Sequence, residues 1–228
     1  MKKLLVPVLL FIGINLGISQ TGFHAEYTNP NFSEWSELLP DEKTSFTFGV
    51  DYWFRLKNVR IEFFPEATLG SYNLSTIESI NNFSKVKTDH LGVHFNTNFY
   101  IFDLAGDCDC PTFSKEGNSF QKGFFLQVGP GISYFKHTLT NETSTRVENI
   151  YSDSDVGFSI NLGAGIDIGM NDFLTITPLF RIKHAFRTEG TDFTSIIDPD
   201  STINLDKTSL TSFNFGLRFG LRWDELRR

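Results

Sequence analysis

From Thr211 to Trp223 the chain alternates between two kinds of residue without a break. Thr211, Phe213, Phe215, Leu217, Phe219, Leu221 and Trp223 occupy one set of positions; Ser212, Asn214, Gly216, Arg218, Gly220 and Arg222 occupy the other. A period of two is the repeat of an extended strand, whose successive side chains point to opposite faces. Such a strand needs two environments: one for bulky apolar groups, one for small and cationic ones.

The pattern recurs along the chain. At 155–169, Val156, Phe158, Ile160, Leu162, Ala164, Ile166 and Ile168 oppose Gly157, Ser159, Asn161, Gly163, Gly165, Asp167 and Gly169. With slips it returns at 44–56, 59–73, 89–103, 122–138 and 173–187, and a shorter run at 21–28 carries Phe23, Ala25 and Tyr27. With 211–223 these make eight predicted strands, an even number as in single-chain bacterial barrels. Pro65, Pro130 and Pro178 fall inside three of them. A closed barrel has no edge to receive a proline, so bulges are expected there. The connections alternate too. Long polar stretches follow the first strand and occupy 74–88, 139–154 and 188–208; tight turns fall at Lys57-Asn58 and Met170-Asn171-Asp172. Outer-membrane barrels have long outer loops and short periplasmic turns. With both chain ends periplasmic, the long stretches are outer loops, and 104–121 is an unusually long inner connection.

Alternation alone does not say which face is inside. The polar face is rich in Gly, Ser and Asn, with paired charges in place of the dense Lys and Glu of a water-soluble exterior. Small residues and paired charges are what a narrow eight-strand lumen requires. The apolar face is dominated by Phe, Ile and Leu, and the chain holds 25 Phe. Mean hydropathy is nevertheless only −0.15, because a membrane barrel interleaves its apolar residues with polar ones. The predicted fold is therefore all-β: a closed antiparallel transmembrane β-barrel of eight strands. Its lumen is expected to hold Asp51, Arg55, Arg60, Glu62, Glu66, Asp167, Arg181, Lys183, Arg187, Arg218 and Arg222. Buried charges need partners, so this set reads as a salt-bridged plug.

The start of the chain reads as a signal peptide over residues 1–19. Lys2 and Lys3 precede the apolar stretch Leu4 to Ile14, and Gly17, Ile18 and Ser19 form a small-residue cleavage site before Gln20. Cleavage would leave 209 of the 228 residues as the barrel domain, 20–228, and loss of two lysines would take the net charge from −7 to −9. A charge of that sign disfavours nucleic acid as a partner.

On these features the chain resembles the Bacteroidetes-type outer-membrane β-barrel domain proteins, the porin-family or PorT-like group. The resemblance rests on the Ser19/Gln20 cleavage region, the eight-strand rhythm and the Gly-x-x-Phe-x-Leu ending at Gly216, Phe219 and Leu221. It implies the outer membrane of a Gram-negative bacterium, contact with outer-membrane lipid and lipopolysaccharide, and a role near the type IX secretion apparatus. The ending is similar to the signal by which the barrel-assembly machinery recognises its clients, here followed by WDELRR.

Candidate chemistry is sparse. Cys108 and Cys110 sit in the inner connection as GDCDC. In an oxidising periplasm they read as a local loop staple, strained and easily reduced across one intervening residue; a redox or metal role and free thiols are the alternatives. His90 and His94 share the lumen face but stand about 13 Å apart along a strand, too far for one ion, and are read as lumen hydrogen-bonding groups. His184 lies on the apolar face, as does the histidine of outer-membrane lipid A deacylases, but Phe186 stands where that group's pattern has Ser. The run NLGAGIDIG lacks the Lys and helix of a phosphate loop. The acidic stretch with Asp192, Asp198, Asp200 and Asp206 lacks calcium-loop spacing. No cofactor is expected. The expected function is structural, tethering or secretion-associated, with a periplasmic or secretion-system protein as a partner. A lipid A-modifying enzyme and a small-solute channel are the alternatives.

Overall fold

The computed structural model describes residues 20–32, 45–56, 59–74, 85–104, 119–143, 146–170, 173–188 and 208–222. In chain order they form β1 (Gln20–Phe32), β2 (Ser45–Arg55), β3 (Ile61–Leu74), β4 (Lys85–Phe99), a 3-10 turn (Ile101–Asp103), helix α1 (Ser119–Gly123), β5 (Phe124–Thr143), β6 (Arg146–Ile166), β7 (Ile168–Gly169), β8 (Leu174–Thr188) and β9 (Thr208–Arg222). β1 through β6 pair in sequence; β1 also pairs with β9, β9 with β8, and β8 with β6, which closes the ring. All pairings are antiparallel. β7 continues β6 past Asp167 and pairs with β8, so the barrel has eight staves.

All eight expected strands are present, and their two faces divide as alternation requires. Along β9, Ser212, Asn214, Arg218 and Gly220 are buried while Phe213, Phe215, Leu217 and Phe219 face outward. Phe46, Phe215 and Val156 are each 61% exposed, whereas Asn96, Ser133, Ser159 and Asn161 are 0% exposed. A water-soluble barrel would show the reverse. An apolar exterior around a polar, filled interior is the arrangement of a barrel that crosses a membrane with its strands.

Three expectations are corrected. Pro65, Pro130 and Pro178 produce no bulges. Pro65 stays in register opposite Phe95 on β4, but the β2–β3 ladder skips from Asp51↔Glu66 to Phe54↔Phe63. Pro130 keeps Ile160 on β6 while the β4 ladder skips from His94↔Gly131 to Thr97↔Val128. Pro178 keeps Leu217 on β9, and on its other side β6 gives way to β7. In an antiparallel sheet a residue's N–H and C=O both point to one neighbour. A missing N–H therefore opens one ladder and leaves the other intact. The register shifts lie elsewhere, at Leu139/Thr140 and Ala185/Thr188.

The second correction concerns 139–154, read from sequence as a loop. β5 and β6 instead run 20 and 21 residues and pair up to Thr143↔Arg146. β4 accompanies β5 only as far as Thr140, and β8 accompanies β6 only from Ser159. The far part of this hairpin thus stands clear of its neighbours among the described residues.

Third, the strands expected at 89–103 and 122–138 are shorter at the terminal rim, the end where β1 begins and β9 finishes. β4 stops at Phe99 and β5 starts at Phe124, with the 3-10 turn and α1 beyond them. The rest of the 104–121 connection, with Cys108 and Cys110, lies outside the described residues, as do residues 1–19, the acidic stretch 189–207 and the tail from Trp223.

Candidate functional site

The lumen is where the chemistry of this chain collects. Of the charges expected there, Asp51, Arg60, Glu62, Glu66, Arg181, Lys183 and Arg218 are buried, and Asp167 is half-buried. The side chains of Arg55, Arg187 and Arg222 lie outside the described ones. Two buried ionisable groups of β1 were missing from the expected set, His24 and Glu26. The signal was available: both fall between Phe23, Ala25 and Tyr27, so alternation already turns them inward.

The central network joins strands far apart in sequence. Arg218 on β9 donates to both oxygens of Asp51 on β2, through Nε at 2.9 Å and Nη2 at 2.6 Å. This two-point geometry suits the planar guanidinium. Its Cζ also stands 4.7 Å from the centre of the Phe64 ring. Arg181 on β8 donates through Nη1 to Glu66 on β3 at 2.8 Å, and its Nε lies 3.4 Å from Glu26 on β1. Glu66 also accepts from Asn96 Nδ2 at 2.9 Å, and Asn96 in turn accepts from Asn161 Nδ2 at 3.2 Å. His24 is wedged between the two acids, its ring nitrogens 3.9 Å from Asp51 and from Glu66.

Glycine makes the room. A Cβ on Gly49 would collide with the His24 ring, and one on Gly216 would stand 2.5 Å from Glu26 Cγ and 2.6 Å from the Ala25 carbonyl oxygen. Gly216 thus has a packing reason inside the barrel. Phe219 and Leu221, the other two positions of the expected assembly signal, are on the outward-facing set.

A second layer closes the terminal rim. Glu62 accepts from Trp53 Nε1 at 2.6 Å and faces the Tyr100 hydroxyl at 2.8 Å. The same hydroxyl lies 2.5 Å from Asp167, which also accepts from Thr177. Arg60, in the turn before β3, pairs with Asp103 and stacks over Tyr100 with Cζ 4.2 Å from the ring centre. Tyr100, Phe125 and Leu179 form a small apolar plug beside these charges.

Towards the opposite rim the lumen becomes a histidine and hydroxyl layer. His90 Nε2 is 3.3 Å from Ser133 Oγ, Ser133 is 2.9 Å from Ser159, and Ser159 is 2.9 Å from His94 Nε2. His137 bonds Thr88 at 2.8 Å. The two histidines expected to serve as lumen hydrogen-bonding groups do so, and no group of three metal-ligating side chains occurs among the described residues. His184 is on the outer face, 2.9 Å from Thr211 Oγ1 and edge-on to Phe186.

Between the central and rim layers lies a small cavity lined in part by Asp51, Glu66, Asp167, Arg181 and Arg218, with room for about one water molecule. Five acidic side chains (Glu26, Asp51, Glu62, Glu66, Asp167) face four basic ones (Arg60, Arg181, Lys183, Arg218) among the described lumen residues. The interior is close to charge balance and is packed.

The sequence matches no protein-family model and no curated protein. Solved structures of similar shape include Ail, the attachment invasion locus protein of Yersinia pestis, at 11% identity over 90% of this chain and 99% of that one, TM-score 0.46. Neisserial surface protein A aligns at 9% identity over 88% and 95%, TM-score 0.43. The outer membrane protein OprG of Pseudomonas aeruginosa aligns at 12% identity over 90% and 94%, TM-score 0.37.

Proposed function

We propose that this chain is a non-catalytic structural barrel of a Gram-negative outer membrane, exported by its first 19 residues. It holds a sealed lumen and serves as a tether or as a secretion-associated interaction partner. The observation that carries this reading is the cross-lumen network in which Arg181 spans Glu66 and Glu26 while Arg218 grips Asp51. Side chains from β1, β2, β3, β8 and β9 meet there, inside an exterior of Phe, Leu and Val. Such a network ties staves together across the lumen and supports the reading of a sealed interior. The PorT-like resemblance supplies the secretion-associated role, and the ending at Gly216, Phe219 and Leu221 supplies the barrel-assembly machinery as the partner in folding.

The test has two arms. In isolated outer membranes, the unheated protein should migrate faster than the boiled one on electrophoresis, as a closed, detergent-resistant barrel does. In planar bilayers the purified barrel should give no discrete conductance steps. Reproducible steps would make it a channel; a soluble periplasmic protein with no mobility shift would overturn the membrane reading. The enzyme alternative would appear as a changed lipid A mass on expression, abolished by His184→Ala.

A further inference from the structure

The terminal rim carries an apolar plate that the barrel wall does not require. The 3-10 turn and α1 bring Phe102 and Phe120 against Phe124, with ring centres 5.4 to 5.9 Å apart. Packed aromatic rings normally bury one another. Here Phe102 remains 52% and Phe120 54% exposed, and Ile101 and Leu104 are exposed beside them. The polar side of the same segment is turned the other way. Asp103 pairs with Arg60, and Tyr100 is fully buried over Glu62. The segment is therefore two-faced, one side in the barrel mouth and the other outward.

It is also clamped. Arg60 N–H donates to the Leu104 carbonyl at 3.0 Å, and Asp167 N–H donates to the Gly123 carbonyl at 3.0 Å. Both flanks of the connection are thus bonded to neighbouring staves. The plate runs without a break into the lipid-facing wall, because Phe124 opens β5 and is followed on the same face by Leu126 and Val128. Neighbouring turns on this rim repeat the theme with exposed Leu56, Met170 and Phe173.

We infer that Ile101–Leu104 and Ser119–Gly123 form a foot seated in the membrane leaflet nearest the terminal rim, at the boundary between headgroups and acyl chains. The occupant of the apolar plate is a phospholipid surface. Three observations choose it over a protein partner: the plate continues the lipid-facing wall, both of its flanks are hydrogen-bonded to the barrel, and Asp103 and Tyr100 of the same segment turn toward the barrel mouth. Apolar and aromatic faces at that depth are stabilised in proportion to the area they bury. The inference rests on the membrane-spanning reading of the barrel.

The experiment is a depth measurement by indole fluorescence. Phe120→Trp and Phe102→Trp would each be placed in the full chain and refolded into phosphatidylcholine vesicles brominated either near the headgroup or deep in the acyl chains. Each spectrum is read as a difference from the parent protein, which has three tryptophans. Phe215→Trp, halfway along β9, is the control. The expected result at both rim positions is blue-shifted emission quenched by the shallow-brominated lipid. The control indole on β9 should be quenched by the deep-brominated lipid. Hydrated, unquenched emission at both rim positions, with the control still quenched, would overturn the foot and leave the barrel in its membrane. Absence of quenching at all three would overturn the membrane reading and the foot together. Two rim positions guard against one variant failing to fold.

Discussion

Arg181 spans two carboxylates of the lumen, Glu66 at 2.8 Å and Glu26 at 3.4 Å. Arg181→Met would leave two carboxylates without their cation in a packed interior. A buried charge stripped of its partner costs about 3–5 kcal/mol. The variant should lose its fast-migrating unheated band at a clearly lower temperature than the parent. Converting the pair together, Arg181→Met with Glu66→Gln, should recover part of the loss. Gly216 separates two explanations for one residue. A Cβ there meets the Ala25 carbonyl oxygen at 2.6 Å, so Gly216→Val is overpacked, at about 1–3 kcal/mol. Refolding from urea into detergent, with no assembly machinery present, should already show the defect. Normal refolding with failed assembly in cells would locate the residue's role in recognition instead. Neither the ion pairs nor this contact was legible in the sequence. Alternation turned Glu66, Arg181 and Gly216 inward, but which inward residues meet depends on the register and stagger of staves that no single strand encodes.

At the scale of the element, legibility followed the environment. The eight staves were readable wherever one face met lipid and the other met the lumen, because only there does the sequence alternate. The outer half of the β5–β6 hairpin was not. Its residues 139–154 (LTNETSTRVENIYSDS) carry no continuous apolar face, and so they read as loop. The prolines misled for a related reason. A proline on a barrel stave is tolerated without a bulge when the ladder on the side of its missing N–H can open locally, and the ladders do open beside Tyr52, Phe95 and Ile166. The lipid-facing half of each stave makes its own prediction. Phe215→Arg places a cation on the outer wall midway along β9, where the cost at the bilayer midplane is about 2–4 kcal/mol. In urea titrations of vesicle-refolded protein the midpoint should fall accordingly, whereas Phe215→Leu should lie close to the parent.

For the whole molecule, the decisive contacts are the non-local ones. β1 and β9 pair over thirteen positions, from Gln20↔Arg222 to Phe32↔Leu210. A seam between the two ends of a chain closes slowly, because the entropy of closing so long a loop is lost before the contacts form. Until β9 is in place, β1 and β8 both present open edges, which is the state in which strand proteins associate wrongly. The seam between β1 and β9 also makes the barrel topologically a hoop, with the first and last described residues side by side on one rim. A hoop has no privileged starting point. A permuted gene that joins residue 222 to residue 20 through a short linker and begins instead within the connection between β3 and β4 should still produce a protein whose mobility shifts on boiling. The order in which the staves leave the ribosome would change, while the hoop they complete would not.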